Sequence, residues 1–141
     1  MYLLDTDHLS LLQRGGDASQ RILTRLRALP VEDVAVTIVS FEEQTRGWLA
    51  QIGQQTHAAQ QIVGYAELKR LLQSYCFMAI VDFDADAVVH FDRLRTLHRR
   101  HGAMDLKIAA IALAQNATLV TRNRRDFDAI DDLRCEDWAS F

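Results

Sequence analysis

The stretch Tyr2-Leu3-Leu4-Asp5-Thr6-Asp7-His8-Leu9-Ser10-Leu11-Leu12-Gln13-Arg14 opens on a short apolar run, ends that run on an acid and continues with leucines at positions 9, 11 and 12. Apolar residues that are first consecutive and then helically spaced predict a strand over residues 2–5 feeding straight into a helix over 6–14. Gly15-Gly16 breaks that helix, and Asp17 is expected to cap a second one carrying Ile22, Leu23, Leu26 and Leu29, closed by Pro30. Residues 34–37 are a brief β-branched run, after which Ser40 is expected to open a helix towards Leu49 and Ile52, a second strand-to-helix unit.

The pattern continues outward. Ala59, Ile62, Val63, Ala66, Leu71 and Leu72 mark the stripe of one long amphipathic helix over 56–74. Residues 77–81 predict a third strand, Asp84 caps a helix bearing Val88, Val89, Phe91, Leu94 and Leu97, and a further helix spans about 104–115. A fourth strand is expected over 118–121, a short helix near Phe127 and a weak fifth strand over 133–136. Strands separated by helices call for an α/β fold, a parallel sheet of four to five strands with helices on both faces. No repeat, low-complexity tract or linker interrupts the chain, so residues 1–141 read as one domain.

Composition narrows the class. The 141 residues are 49% apolar and 25% charged, with one proline and six glycines, which excludes disordered, collagen-like and multidomain chains. A chain of this length buries close to two thirds of its unfolded surface and needs no disulfide or structural metal. Cys76 and Cys135 lack any ligand spacing and are expected to be small buried hydrophobes in a reducing cytosol. No apolar run approaches the roughly 18 residues of a membrane span, and Asp5 interrupts the only apolar amino-terminal stretch, so a cytoplasmic protein with no membrane partner is expected. The formal charge of -3 argues against a broad nucleic-acid surface, yet 14 of the 16 basic residues are arginine, the side chain best suited to phosphate forks.

The acids stand where an open parallel sheet binds its ligands, just beyond the carboxyl ends of the strands. Asp5 ends the first strand with Asp7 two residues on; Glu42 and Glu43 follow the second; Asp105 opens the helix before the fourth; Asn123 and Asp126 follow the fourth. Carboxylates brought together raise one another's pKa unless a cation neutralises them, and a hard divalent ion such as magnesium suits an all-oxygen site that also takes phosphate. Such a site supports phosphodiester hydrolysis by an activated water. Each acid also has a structural explanation, since acids favour helix N-termini. Asp7 and Asp105 fit helix caps, and Ser40-x-x-Glu43 fits a capping box in which Glu43 bonds back to the Ser40 amide. Asp5 fits least well as bystander, because a carboxylate ending an apolar strand is costly to bury without a partner. His98 and His101 read as compensation of a helix C-terminal dipole rather than a metal pair.

Four segments, Leu3-Leu4-Asp5-Thr6-Asp7-His8-Leu9-Ser10, Ser40-Phe41-Glu42-Glu43-Gln44-Thr45-Arg46-Gly47, Met104-Asp105-Leu106-Lys107-Ile108-Ala109-Ala110 and Leu119-Val120-Thr121-Arg122-Asn123-Arg124-Arg125-Asp126-Phe127, together resemble a PIN domain, and more narrowly the VapC-type ribonuclease toxins of toxin-antitoxin pairs. The resemblance covers almost the whole chain. It implies a three-layer α/β/α fold and a magnesium- or manganese-dependent endoribonuclease, commonly a homodimer, neutralised by a cognate antitoxin. By motif position it implies Asp5, Glu43 and Asp105 as metal ligands, with Glu43 preferred to Glu42 because Gly47 lies four residues later. The fourth catalytic position falls to Asp126 or Asn123. Thr6 and Asp7 become supporting residues that orient the site, and Arg122, Arg124 and Arg125 become contacts to the RNA backbone, which position a strand without reading it. The arginines between 93 and 100 are a second candidate for that role.

Two other classes compete. Asp5-x-Asp7 after an apolar strand is similar to the start of haloacid-dehalogenase-type phosphatases, with Lys107 to balance a phosphoryl group, and a receiver-like domain shares the acidic rim. An interaction module whose acids only cap helices is the non-enzymatic reading. The helices between residues 40 and 74 are expected to offer a dimer or antitoxin surface.

Overall fold

A computed structural model describes residues 1–140. Five strands form one sheet: β1 (Tyr2–Leu4), β2 (Val34–Thr37), β3 (Ile80–Val81), β4 (Thr118–Val120) and β5 (Arg134–Glu136), in the order β3-β2-β1-β4-β5, with every pairing parallel. Seven α-helices connect them: α1 (Thr6–Arg14), α2 (Asp17–Arg27), α3 (Ile38–Gln54), α4 (Ile62–Tyr75), α5 (Ala85–Leu97), α6 (Ala103–Ala114) and α7 (Arg124–Phe127).

The strands are short and apolar on both sides because both faces are covered. Leu3 pairs with Ala35 and Leu119, and this row packs under α5 and α6 with Ala87, Leu94, Ile108 and Ile111. Leu4 pairs with Val36 and Val120, and that row faces Leu9 of α1, Ile22 of α2, and Leu71 and Tyr75 of α4. Alternation along a strand thus assigns successive residues to the two helix layers. Helix α6 is almost wholly buried from Leu106 to Ala112, which explains why its sequence is apolar all round rather than striped.

Several boundaries differ from expectation. The cap of α3 is Thr37, whose hydroxyl accepts from the Ser40 amide, so the helix starts two residues before Ser40. Asp17 is the first helical residue of α2, and the cap position is Gly16, which supplies no side-chain bond. The long helix expected over 56–74 is α4 alone, preceded by a 3-10 turn at Ala58–Gln61, because the chain reverses at the extended Gln55 to lay α4 back on α3. No proline or glycine in Gln54-Gln55-Thr56-His57 announces that turn. The reversal is tight: a Cβ on Gly64 would stand 2.5 Å from Ile52 Cγ1 and 2.6 Å from Gln51 Oε1. The third strand shrinks to Ile80–Val81 because the Phe77 and Met78 amides turn back onto the carbonyls of Ser74 and Tyr75. Both cysteines are free; Cys76 is exposed and Cys135 half-buried, so neither is the fully buried hydrophobe expected. Among the described residues, no helix is long and apolar enough to cross a membrane.

Candidate active site

The sheet order puts β1 at the centre, with connections leaving it towards β2 on one side and β4 on the other. That divergence is where such sheets open a crevice at their carboxyl ends. Asp5 sits at this point. Its amide donates to the Val120 carbonyl at 2.9 Å, so β1 continues one hydrogen bond into the site, and its Oδ1 accepts from the Thr6 amide at the start of α1. Since Leu4 pairs with Val120, the next residues, Asp5 and Thr121, emerge side by side, and the Thr121 hydroxyl donates to Asp5 Oδ2 at 2.8 Å.

A pocket of about 300 Å³ opens there, lined by Asp5, Thr6, Asp7, Ser10, Glu43, Asp105 and Asn123. Helix α3 brings Glu43, whose Oε1 accepts from the Thr6 hydroxyl at 2.8 Å. Glu43 therefore does not close the capping box expected with Ser40, since Thr37 already satisfies the Ser40 amide. Glu42, one residue earlier, turns away to pair with Arg46 at 2.7 Å. Helix α6 brings Asp105 in its first turn, where the helix dipole favours an acid, although Gly102 holds the cap position. Asp7 is also in a first turn, but its carboxylate leaves its own helix: it meets His8 Nδ1 at 2.9 Å and the Arg122 amide at 3.2 Å.

The loop after β4 completes the rim. Asn123 lines the pocket, its amide donating to Thr121 Oγ1 and its side chain to Asp126 Oδ2 at 3.2 Å. Asp126 is exposed outside the pocket lining, yet close enough for its charge to act on Asp105. Arg122, Arg124 and Arg125 are exposed on the same loop and on α7, with Arg124 3.5 Å from Asp128. Lys107 turns from the acids to the rings of Phe83 and Phe91, 5.8 Å from each centroid, so it does not balance a phosphoryl group at Asp5. His98 and His101 contact each other edge to face, and His101 Nε2 meets the Asp126 carbonyl at 3.0 Å. Two residues with no assigned part in the sequence reading belong to the site: Thr121, foreseeable only from the strand register, and His8, for which the sequence carries no signal.

Burial drives the electrostatics. The Asp5 carboxyl is pushed up to about 7, first by burial and then by the Asp7 charge. Glu43 is raised by burial and by the charges of Asp105, Glu42 and Asp7; Asp105 is raised by burial and by Asp126 and Asp7. Among the described residues, no arginine or lysine forms an ion pair with these three carboxylates, and the His101 charge partly offsets the rise at Asp105. Carboxylates that share one pocket lining without an ion-pair partner are the all-oxygen donor chemistry that suits a hard divalent ion. As the side chains stand, no three acid, histidine or cysteine groups among the described residues converge into a chelating cluster. Water-filled coordination through one or two carboxylates, the usual habit of magnesium, is the arrangement these residues fit.

The PIN domain family model matches residues 2–133. The chain belongs to the PIN domain family. This PIN domain is 40% identical over 65 residues to ribonuclease VapC2 of Rickettsia felis, covering 43% of the chain and 48% of that protein. It is 34% identical over 64 residues to the tRNA(fMet)-specific endonuclease VapC of Shigella flexneri, again covering 43% of the chain and 48% of that protein. The matched stretch thus spans about half the length of these curated relatives. The crystal structure of VapBC2 from Rickettsia felis bound to a DNA fragment from their promoter superposes with a TM-score of 0.70 at 26% identity, covering 97% of this PIN domain and 98% of that chain. The likeness of fold therefore extends over the whole sheet and both helix layers, well beyond the stretch of matched sequence.

Proposed function

We propose that this PIN domain, over residues 1–141, is a metal-dependent endoribonuclease of the VapC toxin type, hydrolysing RNA phosphodiester bonds and neutralised by a cognate antitoxin. The observation that carries the reading is that Asp5, Glu43 and Asp105, from three separate segments, line one pocket with raised carboxyl pKa values and, among the described residues, no lysine or arginine in an ion pair with them. Acids serving only as helix caps would not converge, and none of the three expected cap acids, Asp7, Glu43 and Asp105, serves as one: Asp5 caps α1, Thr37 caps α3 and Gly102 holds the cap position of α6.

Asp5 and Asp105 would hold Mg2+ or Mn2+ directly, with Glu43 at its edge or on a second ion. A bound ion would supply charge stabilisation for the scissile phosphate and acidify the attacking water. Glu43 orients that water: Thr6 ties Oε1, leaving Oε2 to take the proton as the water oxygen bonds to phosphorus. The bond from phosphorus to the 3' oxygen then breaks and that oxygen takes a proton from solvent water, leaving a 5'-phosphate and a 3'-hydroxyl. Thr121 holds the Asp5 carboxylate in place, Asp7 anchors the loop bearing Asn123, and Asn123 or Asp126 supplies the fourth polar position. Arg122, Arg124 and Arg125 contact backbone phosphates on the flank of the pocket.

An elongated groove of about 780 Å³ shares Thr6 and Glu43 with the pocket and runs between α1, α3 and α4 past Trp48 to Arg70. Exposed Leu49, Ile62, Val63 and Leu72 lie on α3 and α4, on the surface proposed for the antitoxin or for a second copy in a homodimer. The toxin-antitoxin nature of the VapBC2 complex supports an antitoxin partner.

The deciding experiment is cleavage of a mixed RNA pool by purified protein with magnesium, manganese or EDTA, beside a folded Asp5→Asn variant. Cleavage that needs the ion and is lost in the variant is expected. Absence of cleavage with either ion, from folded protein free of antitoxin, overturns the nuclease reading.

A further inference from the structure

His8 is completely buried, and the chemistry above does not use it. Its Nδ1 lies 2.9 Å from Asp7 Oδ1, and its Nε2 lies 3.2 Å from the backbone nitrogen of Trp138. A backbone N–H can only donate, so Nε2 accepts, and an accepting ring nitrogen carries no proton. The single proton of the neutral ring is therefore on Nδ1, where it donates to Asp7. Asp137 Oδ1, 3.7 Å from Nε2, does not alter this assignment, because it already accepts from the Ala139 and Ser140 amides at 2.8 and 3.2 Å.

The carboxylate that His8 grips has a second set of contacts. Asp7 Oδ2 takes the Arg122 amide at 3.2 Å and lies 3.3 Å from Thr121 Oγ1. The one Thr121 hydroxyl proton serves the shorter contact to Asp5, and Thr121 Oγ1 itself accepts the Asn123 amide at 3.0 Å. His8 behind and the loop after β4 in front thus determine between them where Asp7 points. Oriented carboxylates of this kind depend on the outer partner that fixes them.

We propose that His8 is a positioning residue of the acidic site: as a neutral ring protonated on Nδ1, it aims Asp7 at the loop bearing Thr121 and Asn123, and it ties that loop to the chain segment following β5. Its consequence for turnover rests on the nuclease reading; its tautomer and its hold on the loop do not.

Two substitutions separate the halves of the ring. Asn in place of His8 keeps a donor near Nδ1 and loses the acceptor for Trp138, whereas Gln keeps an acceptor near Nε2 and loses the donor to Asp7. In the full wild-type chain, long-range proton–nitrogen NMR of the His8 ring should give a protonated Nδ1 and a bare Nε2; the reverse tautomer overturns the proposal. The amide signals of Arg122 and Asn123 should move in His8→Gln and hold in His8→Asn, and no movement in His8→Gln overturns it as well. At a temperature where circular dichroism finds both variants folded, RNA cleavage should fall about 10- to 100-fold in His8→Gln and stay within a few-fold of wild type in His8→Asn. Losses that are equal in the two variants, or that follow their melting temperatures alone, mean a purely structural histidine. If the wild type cuts no RNA, the nuclease reading fails while the two NMR readouts still decide the role of His8.

Discussion

The Thr6 hydroxyl donates to Glu43 Oε1 at 2.8 Å, joining the first residue of α1 to the second turn of α3 across 37 positions of sequence. Ser40 Oγ lies 3.1 Å from the same hydroxyl and 3.4 Å from Thr37 Oγ1, so a chain of hydroxyls runs from the cap of α3 to the site. The orientation of Glu43 thus depends on where two strands end, β1 before Thr6 and β2 at Thr37.

Removing the charge of Asp5 or Asp105 tests the acid cluster directly. Asp5→Asn and Asp105→Asn should each lower RNA cleavage by more than the roughly 10–100-fold loss typical of a residue that only supports a ligand, with folding retained by circular dichroism. A folded variant with undiminished cleavage would falsify the assignment of that acid to the site.

Burial of Asp5 makes stability depend on pH in a defined direction. Its carboxyl titrates near 3.8 when unfolded and near 7 when folded, so its contribution is present in full below the lower value and is lost as pH rises through the upper one. In EDTA, Asp5→Asn should therefore gain melting temperature relative to wild type as pH rises from about 4 to about 8, and added Mg2+ should narrow the gap by stabilising only the wild type. A gap that does not change with pH counts against the burial cost.

Gly64 and Gly53 should respond to alanine with opposite signs. At Gly64 the new methyl meets Ile52 Cγ1 and Gln51 Oε1 well inside contact distance, and overpacking of this kind costs about 1–3 kcal/mol. At Gly53 nothing stands within 4 Å, so Gly53→Ala should stabilise α3 by about 0.5–1 kcal/mol through helix propensity. Thermal or urea unfolding measures both; a stabilised Gly64→Ala would mean that α4 does not lie this close to α3.

Thr37 ends β2 and caps α3 at once, and it is fully buried. Thr37→Ala should cost about 1 kcal/mol from the lost cap. It should also loosen Ser40 and, through it, Glu43. Unfolding curves report the first effect and cleavage rate at saturating RNA the second; a stability loss with an unchanged rate would confine Thr37 to capping.

Arg122 and Arg125 are exposed and, among the described residues, engage no acid through an ion pair, whereas Arg124 is paired with Asp128. If the first two bind the RNA backbone, Arg122→Ala and Arg125→Ala should each weaken binding to all sequences alike and reduce the magnitude of the log–log salt slope by about 0.7. Fluorescence anisotropy of a catalytically silent Asp105→Asn background at several salt concentrations measures this. An unaltered slope places the RNA on another face.

How far the site could be read before folding depended on the kind of signal. Asp5 was legible because a carboxylate at the end of an apolar strand is costly to bury, although the structure also makes it the cap of α1, a role the local pattern offered to Asp7. Glu43 was ambiguous, since Ser40-x-x-Glu43 has the spacing of a capping box; only the appearance of Thr37 as the cap removes that alternative. Thr121 was readable as the end of β4 but not as a partner of Asp5, because partnership required the register of two strands 116 residues apart.

The chain's own pattern determined the alternation of strands and helices, the parallel sheet it demands and the placing of acids at strand ends, because hydrophobic periodicity is a local consequence of which faces are buried. It also led to expectations that local pattern cannot carry: one long helix over 56–74, where the chain reverses without a breaker, and buried cysteines, one of which is exposed. The motif spacing to Gly47 already favoured Glu43 over Glu42, and the pairing of Glu42 with Arg46 agrees with it; only the tertiary structure decided that Asn123 lines the pocket beside the acids and that His8 links Asp7 to Trp138. Those facts depend on strand order, register and helix rotation, which come from packing distant segments together, and no nearest-neighbour preference along the chain encodes them.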